Sequence, residues 1–486
     1  MNSNLILLFW GKKEKNPSDS SESFHPLICH AIDTITVVLH LWDEVLSEAQ
    51  KRNFIAILGV NARECLAFLA GLHDIGKILP GFVDKWPKME QILKQAGYNF
   101  PNVARILHGM VTADHLGIRL KEFGCENISA LQVAYAIGGH HGIIPRLKDK
   151  PIKDQLGNEK WEEIRRNLFD ALLKIMNIEI SPKSLSKLGK DKGLLIKLAG
   201  LTSVADWIAS AEELFSYAMD SLNKEILLEE YFQISQVRAN EALEKIGWTG
   251  WKPKQEPKTF SELFGFKTLR SLQQTTIDLA KQKLKEPSII LIEASMGEGK
   301  TEAAFYLADW LQAMVGQRGM YVALPTQATS NQMFQRTKRF LSQRYPKDKV
   351  NLHLLYGQAI LNDDYQQLRN ASLDDHNDDG GLVAEEWFLP KKRALLAPFG
   401  VGTIDQALTA VLQVRHNFVR LFGLADKVVI FDEVHAYDTY MSHLLDRLIE
   451  WLSVLGSSVI LLSATLPDVR RKELIKAYIG HEAVVE

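Results

Sequence analysis

The sequence predicts a multidomain protein: an all-α domain followed by an α/β domain built on a parallel sheet of P-loop type. Three observations carry this reading. At 486 residues the chain is too long for one compact core, since a domain commonly holds roughly 100 to 200 residues. Through most of 26–235 apolar residues recur three and four apart, the period of helices with a buried face. Later in the chain short runs rich in Ile and Val alternate with helical periodicity, as strands joined by crossover helices do.

Taken in order, the apolar run 5–10 reads as a buried strand, being too short for a signal-peptide core or a bilayer span. Residues 11–24 are polar and turn-forming and are expected to be a mobile surface loop. Helices are expected over 28–46, 62–72, 103–123, 129–138, 161–176 and 193–211. Gly, Pro and Lys then accumulate without periodicity over 247–258. This divides the chain into a first domain, 1–245, a linker, 246–260, and a second domain, 261–486. In the second, strands are expected over 288–293, 319–324, 427–431 and 458–462, and 374–381 reads as a flexible acidic loop. No internal repeat is visible.

Composition sets the outer limits. A chain that is 46% hydrophobic and 24% charged is not extensively disordered. Its net charge of −2 excludes a globally basic nucleic-acid binder, so any such contact must rest on local grooves. Cys29, Cys65 and Cys125 are odd in number and widely spaced, which argues against a disulfide framework or a thiolate zinc site and for a reducing, cytoplasmic setting without a membrane.

The first chemical motif is Ala294-Ser-Met-Gly-Glu-Gly-Lys-Thr301, between a strand pattern and a helical pattern over 302–314. Gly297 and Gly299 let backbone amides turn toward phosphate oxygens, Lys300 reaches the β and γ phosphates, and Thr301 can ligate Mg²⁺. Glu298 and the upstream Gln273 are counted with these ATP-site residues. Asp432-Glu433-Val434-His435 follows a later strand, where doubly wound sheets bind ligands. There Asp432 would hold Mg²⁺ and Glu433 would orient the attacking water. Ser463-Ala464-Thr465 ends the next strand. Residues 324–330 and 401–406, expected after strands or turns, carry hydroxyls and amides that suit either ordinary loops or contact with a nucleic-acid backbone.

The second motif is Leu72-His73-Asp74-Ile75-Gly76-Lys77 at the close of an apolar helix. His30 on an amphipathic helix, His108 opening another, His140-His141 and Asp206 complete a set of five imidazoles and two carboxylates. This mix suits Mn, Fe, Co, Ni or Zn better than Ca. Two such ions about 3.5 to 4 Å apart, with Asp74 as bridge, could drive phosphodiester hydrolysis, and Lys77 could stabilise phosphate charge. His25, His40, His115, His353, His376, His416, His443 and His481 are assigned to core or surface, His25 least securely because it lies close to His30.

With both motif sets in place, the chain resembles the CRISPR-associated helicase-nuclease of type I interference systems. In that family an N-terminal histidine-aspartate (HD) nuclease domain is fused to a superfamily 2 helicase, whose P-loop commonly begins with Ala as Ala294 does here. The resemblance rests on Phe9-Trp-Gly-Lys12, Pro26-Leu-Ile-Cys-His-Ala-Ile-Asp33, the 72–77 motif, Gly138-Gly-His-His-Gly142 and Ala205-Asp-Trp207 in the first half. In the second it rests on Glu293 through Ala304, Gly402-Thr-Ile-Asp-Gln406, Phe431-Asp-Glu-Val-His-Ala-Tyr-Asp438 and Leu462-Ser-Ala-Thr465.

The resemblance implies a metal-dependent single-stranded DNA endonuclease and exonuclease coupled to an ATP-dependent 3′-to-5′ helicase, recruited by a crRNA-guided surveillance complex to degrade foreign DNA. One transition-metal ion (Mn, Fe, Co or Ni) would take His30, His73, Asp74 and Asp206, and a second Asp74, His108, His140 and His141. The second domain corresponds to the first RecA-like helicase domain, of DEVH type. With the second RecA-like domain and its arginine finger absent, a finger being worth about 10³ to 10⁵ in rate, translocation by this polypeptide alone is expected to be negligible unless a separate chain supplies it. Two other readings compete: an HD phosphohydrolase of small nucleotides, with a closed pocket, and a noncatalytic docking subunit of the interference complex.

Overall fold

The computed structural model describes residues 3–14, 23–146, 150–222, 224–357, 359–373, 381–390 and 392–480. The chain divides into two compact units, 1–43 with 53–243 and 44–52 with 244–486. Among the described residues no single helix is long and apolar enough to cross a membrane.

In the first unit, β1 (Trp10–Lys13) pairs antiparallel with β2 (Phe24–Pro26), Lys13 opposite Phe24. Two expectations are corrected here. Of the run 5–10 only Trp10 is strand: a short helix, Ser3–Ile6, and a turn occupy the rest, because a brief fully apolar run carries no period to separate the two conformations. Nor are 11–13 and 24 loop, since they are the paired strand residues; 15–22 lie outside the described residues.

The helices that carry chemistry are α1 (Leu27–Glu44), α2 (Ala62–Gly71), α3 (His108–Glu122), α4 (Asn127–Gly138) and α5 (Lys192–Ala209). The α1 helix is not amphipathic as expected. It buries nearly its whole circumference from Leu27 to Trp42, including His30 and Asp33, and so runs through the centre of the unit. Helix α2 passes into a 3₁₀ turn, Leu72–Lys77. The helix expected over 103–123 begins only at His108, an end that periodicity cannot locate. Tertiary packing shows why: a Cβ on Gly76 would lie 2.0 Å from the His108 carbonyl oxygen, so the 72–77 turn abuts the start of α3. Thr112 closes the joint, its hydroxyl donating to the His73 carbonyl (2.8 Å) and accepting from the Gly76 amide (3.0 Å).

The second unit is a parallel sheet in the order β3-β9-β8-β4-β7-β5-β6. Its strands are β3 (Ile289–Glu293), β4 (Met320–Leu324), β5 (Lys349–Leu355), β6 (Gly381–Val383), β7 (Phe399–Thr403), β8 (Val428–Phe431) and β9 (Ser458–Ser463). Strands β5, β6 and β7 were not expected. The β5 pattern is masked by two buried polar residues: Asn351 donates to the Gly247 carbonyl (2.6 Å) and His353 Nδ1 lies 3.0 Å from the Tyr365 hydroxyl. In β7 the glycines imitate a turn, yet a Cβ on Gly402 would meet the Leu355 carbonyl at 2.3 Å, so the neighbouring strand requires them. Residues 401–403 are thus strand rather than loop, and helix Ile404–Leu408 follows at once. Of the acidic loop expected at 374–381, Gly381 belongs to β6 and the rest lies outside the described residues.

Residues 247–259 have neither helix nor strand, as their composition suggests, but they are not a free tether. Trp251 is buried in the core of the second unit, its ring 4.9 Å from that of Phe399.

Candidate metal centre and nucleotide site

Four features of the first unit converge on one point: α1 brings His30, the 3₁₀ turn brings His73 and Asp74, the facing ends of α3 and α4 bring His108, His140 and His141, and α5 brings Asp206. Glycines allow the convergence. A Cβ on Gly109 would stand 2.4 Å from the Gly138 carbonyl oxygen, and the reverse contact is equally close, so α3 and α4 touch backbone to backbone. Ser203 of α5 donates to the His140 carbonyl (3.0 Å) and ties the fourth helix in.

The carboxylate of Asp74 lies at the middle. Its Oδ2 is 3.5 Å from His30 Nε2 and 3.4 Å from His73 Nε2, and Asp206 Oδ1 approaches the same two nitrogens at 3.3 and 3.4 Å. Its Oδ1 is 3.2 Å from His108 Nε2 and 3.4 Å from His140 Nε2. The seven residues therefore form two quartets that share Asp74, one of His30, His73, Asp74 and Asp206, the other of Asp74, His108, His140 and His141, with the ligand atoms of each within 4.8 Å of one another.

Several of these atoms are buried without a hydrogen-bond partner: both nitrogens of His30, Nε2 of His73 and His140, and Oδ1 of Asp74. Leaving so many orphaned polar atoms costs about 1 to 3 kcal/mol each, which a coordinated cation relieves. The tautomers agree. His73 Nδ1 faces the Ala70 carbonyl (2.9 Å) and His140 Nδ1 the Ile137 carbonyl (3.0 Å). A carbonyl only accepts, so each Nδ1 carries a proton and each Nε2 is the nitrogen turned inward, the one left to bind a metal. The donor set fits a pair of borderline divalent ions.

Electrostatics point the same way. Burial favours the neutral ring at His30, whose pKa is held down at about 3, and lowers His108 and, to about 4, His141. His73 differs: Asp74 and Asp206 outweigh its burial and push the ring up to about 10, so without a metal a second proton, on Nε2 between the two carboxylates, stands where a cation would bind. Burial is likewise overcome at the acids: Lys77 and His73 hold Asp74, and His30 and His73 hold Asp206, well below the carboxylate range. Lys77 Nζ is 2.6 Å from Asp74 Oδ2 and donates to the Gly11 carbonyl (3.1 Å).

His25, the uncertain histidine, is not a member. Its Nε2 is 2.8 Å from Asp33 Oδ2, while its Nδ1 accepts from the Ala218 amide (3.1 Å). Tyr231 and Ser235 also donate to Asp33, at 3.1 and 2.6 Å, so a satisfied polar network backs α1 three residues beyond His30. Asp33 is part of the quoted Pro26–Asp33 motif, but nothing in its local sequence distinguishes a buried network from a ligand.

In the second unit a cavity of about 790 Å³ opens at the carboxyl ends of β3, β8 and β9, and Gln273, Gly297, Gly299, Lys300, Thr301, Asp432, Glu433, His435 and Ser463 line it. Gly297 and Gly299 both have φ +85°, a conformation L side chains rarely adopt, and Gly299 starts the helix α6 (Lys300–Val315). Lys300 Nζ donates to the Ala294 and Ser295 carbonyls, and Gln273 accepts from the Arg270 amide (3.0 Å). Glu298 is exposed on the loop and does not line the cavity. Burial raises Asp432, whose Oδ1 accepts from the Glu433 amide (2.9 Å), and Glu433 itself holds φ +52°. His435 Nδ1 lies 3.2 Å from Ser463 Oγ, joining the two later motifs. Arg336 was not expected: from helix Gln327–Arg344 it donates to the Thr301 hydroxyl (2.9 Å) and to Glu302. A lone Arg in a polar helix carries no signal in sequence. Of the hydroxyls in 324–330, Thr326 is occupied capping that helix by accepting from the Thr329 amide.

Residues 10–215 match the family model described as "Cas3, HD domain". The chain is similar to the CRISPR-associated endonuclease/helicase Cas3 of Thermus thermophilus, 37% identical over 98% of this chain and 51% of that protein. It is similar in fold to the crystal structure of T. fusca Cas3 with AMPPNP, with a TM-score of 0.81 and 33% identity over 98% of this chain and 52% of the other. A chain of a structure described as a CRISPR RNA-guided surveillance complex, pre-nicking, matches with a TM-score of 0.70 and 31% identity over 98% of this chain and 49% of that one. The chain thus spans about half the length of the curated relative it matches.

Proposed function

Because the chain belongs to the Cas3 family, we propose that its first unit is a metal-dependent single-stranded DNA nuclease and its second the first RecA-like half of an ATP-driven 3′-to-5′ helicase. The observation that carries the nuclease reading is the shared Asp74, whose two oxygens face two separate histidine sets. Two divalent ions held there would supply a nucleophile at neutral pH and neutralise developing phosphate charge.

The chain's own residues do the rest. His73 and His140, fixed through Nδ1, keep the inner nitrogens aimed. Lys77 holds Asp74 ionised and brings a positive charge to the site. The least buried ligands, His108 and His141, mark the side on which substrate enters. An open side suits a polymer strand better than the enclosed pocket expected of a small-nucleotide phosphohydrolase.

In the second unit Lys300, Thr301 and Asp432 would hold Mg-ATP and Glu433 the attacking water. Residues 1–486 bring one RecA-like domain, so motor action needs a second, from the same polypeptide or another. Recruitment by a crRNA-guided surveillance complex in the cytoplasm completes the proposal, supported by the likeness to a chain of such a complex.

Incubation of the metal-loaded protein with circular single-stranded DNA tests it. Nicking that disappears with chelator and in Asp74→Ala is expected. Turnover of mononucleotides or cyclic nucleotides without nicking would establish the small-nucleotide reading, and intact plasmid interference in His73→Ala the noncatalytic one.

A further inference from the structure

The open side of the metal centre continues into side chains that the chemistry above leaves unused. The Phe82 ring stands edge-on to His108, centroids 5.9 Å apart, on a short helix, Pro80–Val83, that follows directly on the turn carrying Asp74. Two ammonium groups lie over that ring, Lys77 at 5.5 Å and Lys85 at 4.5 Å from its centroid. Lys77 touches Asp74, so Asp74, Lys77, Phe82 and Lys85 lead in sequence from the ligands to an exposed cation. Beside them Trp86 is half-buried, edge-on to Trp10 (6.3 Å), with the Lys13 ammonium 5.8 Å from its ring. The one carboxylate within 80–86, Asp84, pairs with Arg105 at 3.1 Å. Partial burial and then the Arg105 charge draw Lys85 below the usual lysine range.

Cations set beside aromatic side chains hold single strands through the backbone phosphates; the Phe82 ring is itself buried, so it seats the lysines rather than a base. A mononucleotide has no second phosphate to reach a cation one side chain beyond Phe82. We propose that Lys85, seated on Phe82 and flanked by Trp86, holds the backbone phosphate next to the scissile one and so selects a polynucleotide over a mononucleotide. The proposal rests on the nuclease reading and names a specificity residue for it.

The test uses the metal-loaded full chain with Lys85→Gln, Lys85→Glu and Lys85→Arg, exposed positions that leave the core intact. Affinity for a hydrolysis-resistant phosphorothioate oligothymidylate is followed by fluorescence anisotropy over a range of KCl. One lost phosphate contact lowers the slope of log affinity against log salt by about 0.7 for a single strand. That drop is expected in Lys85→Gln, with the wild-type slope restored in Lys85→Arg. In Lys85→Glu the KM for nicking circular single-stranded DNA rises, while kcat, bound metal and hydrolysis of bis(p-nitrophenyl) phosphate stay unchanged. An unaltered salt slope in Lys85→Gln overturns the subsite even where the wild type nicks DNA, and so does an equal loss on bis(p-nitrophenyl) phosphate. A wild type that hydrolyses small phosphodiesters but neither binds nor nicks DNA overturns the nuclease reading itself.

Discussion

His108 and His141 point their Nε2 atoms at each other across 2.7 Å. Two lone pairs come that close only around a shared proton or a shared cation. Burial lowers both rings, His141 to about 4, so near neutral pH both are neutral: without a metal one ring's Nε2–H donates to the other, and a metal ion bound in place of that proton makes both nitrogens ligands. His141→Ala therefore removes a ligand from one quartet and leaves the His30, His73 and Asp206 set whole. Elemental analysis is expected to find about half the wild-type metal, and nicking to fall on the order of 10²-fold or more. Retention of the full metal content would show that His141 is not a ligand.

Asp74→Asn should behave differently because Asp74 belongs to both quartets. The amide keeps the shape but loses the negative charge that two cations require, and its NH₂ group cannot coordinate a metal and can instead donate to the inward-facing nitrogens. Both ions are expected to be lost or weakly held, with nicking reduced on the order of 10³-fold. Asp206→Asn, touching one quartet, should spare part of the metal. Equal metal contents in the two variants would contradict the bridging role.

The sequence made the seven residues of the candidate metal centre legible as a set and left their geometry hidden. His73 and Asp74 advertise themselves as neighbours in the chain, but the distances among His30, His108 and Asp206 depend on helix contacts set by Gly109 and Gly138. Those glycines look like ordinary helix residues until the backbones meet. The second unit's P-loop was legible because strand, glycines and helix occur in one continuous stretch. Strand β5 was not, because burying Asn351 and His353 is possible only with partners from distant segments, Gly247 and Tyr365. The 3₁₀ turn at 72–77 read as the end of a helix for the same reason: its joint with α3 is tertiary.

That joint is itself open to test. Gly76→Ala would place a methyl group 2.0 Å from the His108 carbonyl oxygen and 2.6 Å from the Thr112 amide, both backbone atoms of α3. Neither can yield without moving the helix that carries His108. The variant is expected to lose about 3 kcal/mol of stability or more. If it folds, metal in the His108 quartet should be depleted before that bound by His30, His73 and Asp206. An unchanged melting temperature together with full metal content would show that the turn tolerates a side chain.

The second unit carries a pH dependence of its own, through His353. Burial, and then the charges of Lys427 and Arg369, hold this ring's pKa down at about 3. In the unfolded chain the value is about 6.5. The folded state therefore binds the proton more weakly, and unfolding takes one up at any pH between the two values. The ring's contribution to stability is complete above about pH 6.5 and is lost progressively as pH falls toward 3. At about pH 5 the loss amounts to about 2 kcal/mol. Leucine cannot titrate, so His353→Leu should flatten this part of the profile, although it forfeits the contact with the Tyr365 hydroxyl and is less stable at neutral pH. Urea unfolding of both proteins at about pH 7.5 and about pH 5 gives the comparison. The drop between the two conditions should be about 2 kcal/mol smaller in the variant, and equal drops would mean that His353 is protonated in the folded unit.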